Sequence, residues 1–256
     1  MMTHVPLLAD FAVRLAFGLL FALLVTSWRD VPPAFFRAQS QIAMAILVLA
    51  ALSQASSHRG SHVIWLLVIA AAAAYFTTVS WGLGLPRIAT RLEILVLFVA
   101  GWWLALASRA DDPAAWAFAI ASRGVSGLLL GATMHSMLLG HHYLVAPSMS
   151  IQPLTRSLDL IAVGLVARCL LDGIGLWGAA GHTAGIPSAG HSVDATFVAM
   201  RWGMGVVGTG VSVYLARRTA AIRSTQSATG ILYITTIFVL FGELAALVMS
   251  GRGPVG

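Results

Sequence analysis

The chain has 256 residues, of which 59% are hydrophobic and only 9% charged, with 15 Lys+Arg against 9 Asp+Glu. Soluble domains carry roughly 25% charged residues, so this composition excludes an ordinary water-soluble protein. The mean hydropathy of +0.88 predicts a chain that lies in lipid. All the basic residues are arginine, which excludes chemistry that needs a lysine amine, such as a Schiff base. Cys169, the single cysteine, excludes an internal disulfide.

Long apolar runs define the predicted elements. A helix needs about 20 apolar residues to cross the hydrocarbon core, and backbone groups in lipid must be hydrogen-bonded within the segment. We therefore predict an all-α integral membrane protein, a polytopic bundle of about eight transmembrane helices that forms a single domain over residues 1–256. The predicted spans lie at residues 8–27, 38–55, 63–84, 92–108, 114–140, 157–178, 195–216 and 229–249.

The first run lacks the basic segment of a signal peptide, so we interpret it as a retained span. With eight spans both termini lie on one side, and arginine is distributed unequally between the two sets of loops. Arg59, Arg109 and Arg252 fall on the side of the termini, whereas the other side holds Arg29, Arg37, Arg87, Arg91, Arg156, Arg217, Arg218 and Arg223. The positive-inside rule makes the second side cytoplasmic. We expect a multi-pass protein of a bacterial inner (cytoplasmic) membrane with both termini outside. Its partners would be the lipid bilayer and other membrane subunits, and not nucleic acid.

The fifth span begins after Asp112 and Pro113 and ends in a segment rich in histidine. His135 and His142 are two helical turns apart and share a face, with Met137 and His141 nearby. Imidazole and thioether groups are ligands for haem iron. Seven residues separate the two histidines by about 10 Å, so a second helix would have to complete a metal site. Three interpretations stay open for these residues: interfacial or structural histidines, ligands of a haem or another redox group, and a proton relay.

Charged residues inside the later spans form a second group of candidates. A charge in hydrocarbon costs several kcal/mol unless it is paired or hydrated. Arg168 and Asp172 are spaced i to i+4 and can pair within the sixth helix. Arg123, Arg201 and Glu243 have no partner in their own helices, so we expect interhelical pairs, Arg201 with Glu243 among them. Such a polar pocket would bind a quinone head group, a haem propionate or another anion, or carry protons. The alternative is a buried structural ion-pair network.

Residues 203–208 match the pattern G-x-G-x-x-G of dinucleotide sites. No strand precedes this segment, so we interpret its glycines, like Gly127 and Gly131, as positions of close helix packing.

Three functions follow from these patterns. The leading hypothesis is a membrane redox or electron-transfer subunit that binds b-type haem or quinone within the bundle. Its candidate metal ligands are His135 and His142, and its candidate cofactor residues also include His141, Met137 and Arg201. The first alternative is a proton-coupled transporter or channel that uses the buried charges. The second is a non-catalytic scaffold subunit of a larger membrane complex. No catalytic residue is assigned, and the sequence leaves open whether the protein is an enzyme.

Overall fold

The computed structural model describes residues 5–57, 62–146, 149–182 and 195–251, and all regular structure in these ranges is helical. In chain order the elements are α1 (Leu7–Val25), α2 (Pro33–Ser57), α3 (Ile64–Gly82), α4 (Pro86–Ala107), α5 (Pro113–Val145), α6 (Gln152–His182), α7 (Ala195–Ala199), π1 (Met200–Gly208), α8 (Thr209–Ala221) and α9 (Thr225–Gly251). Each predicted span overlaps at least one of these helices, and the seventh covers α7, π1 and most of α8, which follow one another without a break in helical structure. The all-α prediction is therefore confirmed for the described residues.

Six helices, α1 to α5 and α9, are long and apolar enough to cross a membrane. The chain is therefore a multi-pass helical membrane protein. The long helix α6 and the rod formed by α7, π1 and α8 fall outside that group, and both carry several charged residues. The predicted total of eight spans stays a prediction.

Local sequence chemistry explains where the helices begin and end. Pro86 and Pro113 occupy the first turns of α4 and α5, where proline loses no hydrogen bond because the first amides have no helical acceptor. The side chain of Asp112 caps α5 by accepting a 2.8 Å hydrogen bond from the amide of Ala115. Gly84 has a φ of +70°, which allows the tight turn that joins α3 to α4.

The centre of the bundle is the contact between α1 and α5. Helix α1 also packs against α2 and α4, and α5 also packs against α6 and α9. A Cβ atom at Gly18 would overlap the carbonyl of Gly127, and a Cβ at Gly131 would overlap the backbone of Gly18 and Leu19. Small residues thus let the two backbones touch, and the predicted packing role of Gly127 and Gly131 is confirmed. We call Gly18, Gly127 and Gly131 the glycine seam.

The glycine-rich segment at 203–208 lies in π1, a helical stretch with a wider turn than an α-helix. A Cβ at Gly205 would come within 2.9 Å of the Cα of Gly242 on α9, whereas Gly203 faces open space. The segment is therefore helical, and Gly205 has the predicted packing role. Because π1 also carries Arg201, it positions a charged side chain against α6 and α9.

Candidate functional site

Two polar clusters lie along α5. Ser126 belongs to the first and His135 to the second. Their spacing of nine positions corresponds to about 13 Å along the helix axis. Gly127 and Gly131 of the glycine seam fall within this interval. The two clusters are thus separated by the most tightly packed part of the bundle.

The first cluster, which we call the arginine network, contains four arginines and three carboxylates from α1, α5, α6, π1 and α9. On α1, Arg14 donates from Nε to Asp10 Oδ1 at 3.0 Å and from Nη2 to Oδ2 at 2.6 Å. This bidentate pair links two buried groups one helical turn apart.

Glu243 on α9 lies at the centre of the arginine network. Its Oε1 is 3.2 Å from both Arg168 Nε and Arg201 Nη1. Its Oε2 accepts a 2.6 Å hydrogen bond from Ser126, whose hydroxyl is also within 3.4 Å of Arg14 Nη1. With only 4% of Glu243 exposed, these partners replace the water that the carboxylate loses.

Asp172 on α6 holds the other side of the arginine network. It accepts a hydrogen bond from Arg201 and lies 3.7 Å from Arg168 Nε. Arg168 Nη1 donates to the hydroxyl and the carbonyl of Ser122, at 2.9 and 3.1 Å. The Nε–H of Arg168 is not aligned for a hydrogen bond with Glu243, so that contact is an ion pair only.

Arg123 on α5 is the most exposed member of the arginine network, with 22% of its side chain accessible. Its Nη1 donates to Ser108 Oγ at 2.7 Å, and its Nε lies 3.6 Å from Asp10 Oδ2. The structure thus brings together all five charged residues selected from the sequence, and Asp10 and Arg14 join them. Sequence reasoning missed these two residues, although their i to i+4 spacing is the same signal that selected Arg168 and Asp172.

The second cluster surrounds His135, which is fully buried. Its Nδ1 donates to Gln39 Oε1 at 3.0 Å, and its Nε2 lies 2.9 Å from Thr26 Oγ1. The ring of Phe35 packs edge-on against the imidazole with the centroids 5.6 Å apart. Since both ring nitrogens already have protein partners, a metal ion at His135 would have to displace one of them.

A cleft of about 260 Å³ opens beside His135 between α2 and α5, and we call it the histidine cleft. Ring centroids of Phe35 and His142 are 5.4 Å apart at this cleft. Two buried nitrogens of its lining, Gln39 Nε2 and His142 Nε2, have no hydrogen-bond partner among the described residues. The lining consists of Ala34, Phe35, Ala38, Gln39, Ile42, Leu138, His141, His142 and Val145.

The cofactor residues selected from the sequence divide between the two clusters. His141 and His142 line the histidine cleft, and His135 lies next to it through Gln39. Met137 packs against the hydrophobic core. Arg201 belongs to the arginine network with Glu243 and Asp172. Gln39 and Thr26 were not selected from the sequence, because their role depends on how α1 and α2 pack against α5.

A further buried carboxylate, Glu93 on α4, was also missed. Only 1% of it is exposed, and it accepts hydrogen bonds from Trp81 Nε1 at 2.8 Å and Ser40 Oγ at 3.4 Å. The predicted fourth span began at residue 92, which put Glu93 at the membrane boundary. The helix begins at Pro86, so Glu93 is two turns inside it.

Comparison of the chain with known protein families, with curated proteins and with solved structures finds no match.

Proposed function

We propose that the protein is a membrane redox or electron-transfer subunit that binds a quinone head group in the histidine cleft. The observation that carries this proposal is a pair of buried nitrogens, Gln39 Nε2 and His142 Nε2, that have no partner in the described part of the chain. Leaving a buried donor unpaired costs about 1–3 kcal/mol. The two carbonyl oxygens of a quinone are hydrogen-bond acceptors and would recover that cost.

The rest of the histidine cleft suits a flat apolar ring. Phe35, Ile42, Leu138 and Val145 supply its apolar wall. Ala34, Ala38, His141 and Val145 are exposed at the bundle surface. A ligand dissolved in the bilayer would therefore enter from the side, without passing through the glycine seam.

The geometry favours quinone over haem as the cofactor. The cleft volume of about 260 Å³ is below the roughly 300–1,000 Å³ of common small-molecule pockets, which suits a head group better than a macrocycle. Both nitrogens of His135 have protein partners, whereas His142 has a buried nitrogen with no partner among the described residues.

We also propose that the chain crosses the membrane eight times. The two spans beyond the six most apolar helices are then α6 and the rod from α7 to α8. These two elements are less apolar than the other helices because they carry charged residues, among them Arg168, Asp172 and Arg201. These three side chains are directed into the arginine network, so they are consistent with helices that cross the membrane.

Equilibrium binding of a short-chain ubiquinone to the purified protein in detergent tests the proposal. We expect saturable binding that weakens about tenfold in Gln39→Leu and in His142→Phe, since one hydrogen bond worth about 1.4 kcal/mol corresponds to a factor of ten. Gln54→Leu is the matched control, because Gln54 is a buried amide on the same helix, outside the cleft, and its oxygen has no partner among the residues that the structure describes. It should bind like the wild type.

Two results would overturn the quinone site: no saturable binding, or equal weakening in Gln54→Leu. The absorption spectrum of the purified protein tests whether haem is bound instead. A Soret band that disappears in His142→Ala would show that the cofactor is haem and not quinone. A colourless protein that binds ubiquinone supports the proposal.

The arginine network favours a second candidate function, a proton-coupled transporter. It runs from the partly exposed Arg123 to the buried Glu243. The glycine seam between the two clusters would have to open for transport. Flux in vesicles that contain this protein alone would support transport. Absence of both flux and quinone binding, together with a stoichiometric partner, would favour a scaffold subunit.

A further inference from the structure

The arginine network is unbalanced in charge. Within the part of the chain that the structure describes, its four arginines face three carboxylates, which leaves one positive charge uncompensated. The seven residues are Asp10, Arg14, Arg123, Arg168, Asp172, Arg201 and Glu243. An unpaired charge next to hydrocarbon is costly, so the surplus calls for an anion.

The contacts locate the surplus at Arg123. Glu243 and Asp172 are shared by Arg168 and Arg201. Both oxygens of Asp10 accept hydrogen bonds from Arg14, and Arg123 is left with a 3.6 Å approach to one of them. A guanidinium has five N–H donors, and in the described residues Arg123 has one hydrogen bond, to Ser108.

The guanidinium group of Arg123 reaches the level at which α4 ends, although its Cα lies ten residues into α5. Ser108, which accepts its hydrogen bond, directly follows the last residue of α4. Trp102 on α4 and Trp116 on α5 are exposed, and Trp116 Nε1 donates to the carbonyl of Ala105 at 3.0 Å. Exposed tryptophans at helix ends are typical of the level of lipid head groups. The accessible part of Arg123 therefore lies where phosphate groups are concentrated.

We propose that Arg123 binds one phosphate group, which completes the charge balance of the arginine network. A planar guanidinium recognises a phosphate through paired hydrogen bonds. The phosphate can belong to an anionic lipid or to a soluble ion, and the chemistry of recognition is the same. This site is separate from the histidine cleft and does not depend on quinone binding.

Thermal unfolding of delipidated protein in neutral detergent tests the site. We expect the Tm to rise in a saturable way with phosphatidylglycerol, because a ligand that binds only the folded state stabilises it. The rise should be much smaller with phosphatidylcholine, because its choline cation already compensates its phosphate and leaves no net charge for the network. Arg123→Gln should lose the response. Arg217→Gln is the matched control, because Arg217 is an exposed arginine that pairs with Asp159 on α6, away from the network. A rise with sodium phosphate as large as that with the lipid assigns the site to a soluble ion.

A second variant tests the charge argument in the opposite direction. Asp10→Asn removes a carboxylate, so the uncompensated charge rises by one and the apparent affinity for phosphatidylglycerol should increase, by about tenfold for 1.4 kcal/mol of added attraction. An unchanged response in Arg123→Gln, or a weaker response in Asp10→Asn, would overturn the proposal. If Arg123→Gln does not fold, the sign of the Asp10→Asn effect decides.

Discussion

Glu243 compensates two guanidinium groups with one buried carboxylate. Arg168 and Arg201 both approach the same oxygen at 3.2 Å, and Ser126 donates to the other oxygen. Neutralising Glu243 would leave Arg168 and Arg201 in the bundle interior with Asp172 as their one carboxylate partner among the described residues. Because removing one partner of a buried pair leaves an uncompensated charge, this residue should matter far more to stability than its single charge suggests.

We predict that Glu243→Gln lowers the free energy of unfolding by about 3–5 kcal/mol, because it breaks a buried ion pair. Unfolding in detergent, followed by circular dichroism, measures the loss. The control is Asp159→Asn, which breaks the exposed pair with Arg217 and should cost at most about 1 kcal/mol. In the double variant Glu243→Gln with Arg201→Gln the cost should be less than additive. If the costs of the two substitutions simply add, the energetic coupling between Glu243 and Arg201 is contradicted.

Residue spacing explains which members of the arginine network could be predicted from the sequence. Arg123, Arg168, Asp172, Arg201 and Glu243 were selected because each is a charge within an apolar run. Asp10 and Arg14 satisfy the same rule, and considering the first span in the same way would have found them. The choice of Gln39 as partner of His135 could not be predicted, because an uncharged amide near a helix end has no pattern that identifies its partner.

At the scale of single elements, the glycine seam makes α1 and α5 one unit. Helix α1 contributes Gly18, and α5 contributes Gly127 and Gly131. Contacts between backbones leave no flexible side chain to move aside. A methyl group in the seam must therefore push two helices apart.

We predict that Gly131→Ala destabilises the protein by at least about 1–3 kcal/mol, the usual cost of overpacking. Gly124→Ala is the matched control on the same helix, because a Cβ at Gly124 meets nothing within 4 Å. It should be neutral or slightly stabilising, since alanine favours helix by up to about 1 kcal/mol over glycine. The Tm of each variant in detergent is the measurement. Equal Tm values for the two variants would contradict the role of the seam.

The π1 segment shows the limit of prediction at this scale. The run at 195–216 predicts one helix, and a continuous helical rod is present. Hydrophobic periodicity does not indicate the wider turn. The one local feature of the sequence at this segment is three glycines in six residues. The direction of the Arg201 side chain relative to α8 depends on that wider turn. The sequence therefore predicts that Arg201 pairs with a carboxylate, but not the geometry of its contacts with Asp172 and Glu243.

At the scale of the whole molecule, orientation in the membrane is the property that follows from arginine distribution. In the predicted eight-span topology, eight arginines fall in the loops or at span ends on one side and three on the other. Because α2, α3 and α4 are long and apolar enough to cross the membrane, the turn after α1 and the turn after α4 are expected on opposite sides.

We predict that Asp111→Cys is labelled by a membrane-impermeant maleimide on intact cells, and that Arg29→Cys is labelled only after permeabilisation. Both positions are exposed, and Cys169→Ser supplies a background without other cysteines. The positive-inside rule places the Arg29 side in the cytoplasm. The reverse labelling pattern would invert the orientation, and equal labelling of both positions would contradict three membrane crossings between them.

Helix positions could be predicted from the sequence because one quantity, the length of an apolar run, decides them in lipid. Helix contacts are different, since they depend on which faces meet. Gly127 and Gly131 were recognised as packing positions, but their partner Gly18 became evident only with α1 in place. The histidine cleft likewise exists only because α2 lies against α5 beside His142.

The pairing of Asp10 with Arg14 also bears on how the chain is made. Helix α1 is synthesised roughly 100 residues before α5, which at about 5–20 residues per second is an interval of about 5–20 s. During that interval its two charges neutralise each other within one helix, so α1 can enter the bilayer without waiting for a partner. Glu243 is the only charged residue of α9 and is translated last. Insertion of α9 is therefore the step of biosynthesis that supplies the carboxylate for Arg168 and Arg201.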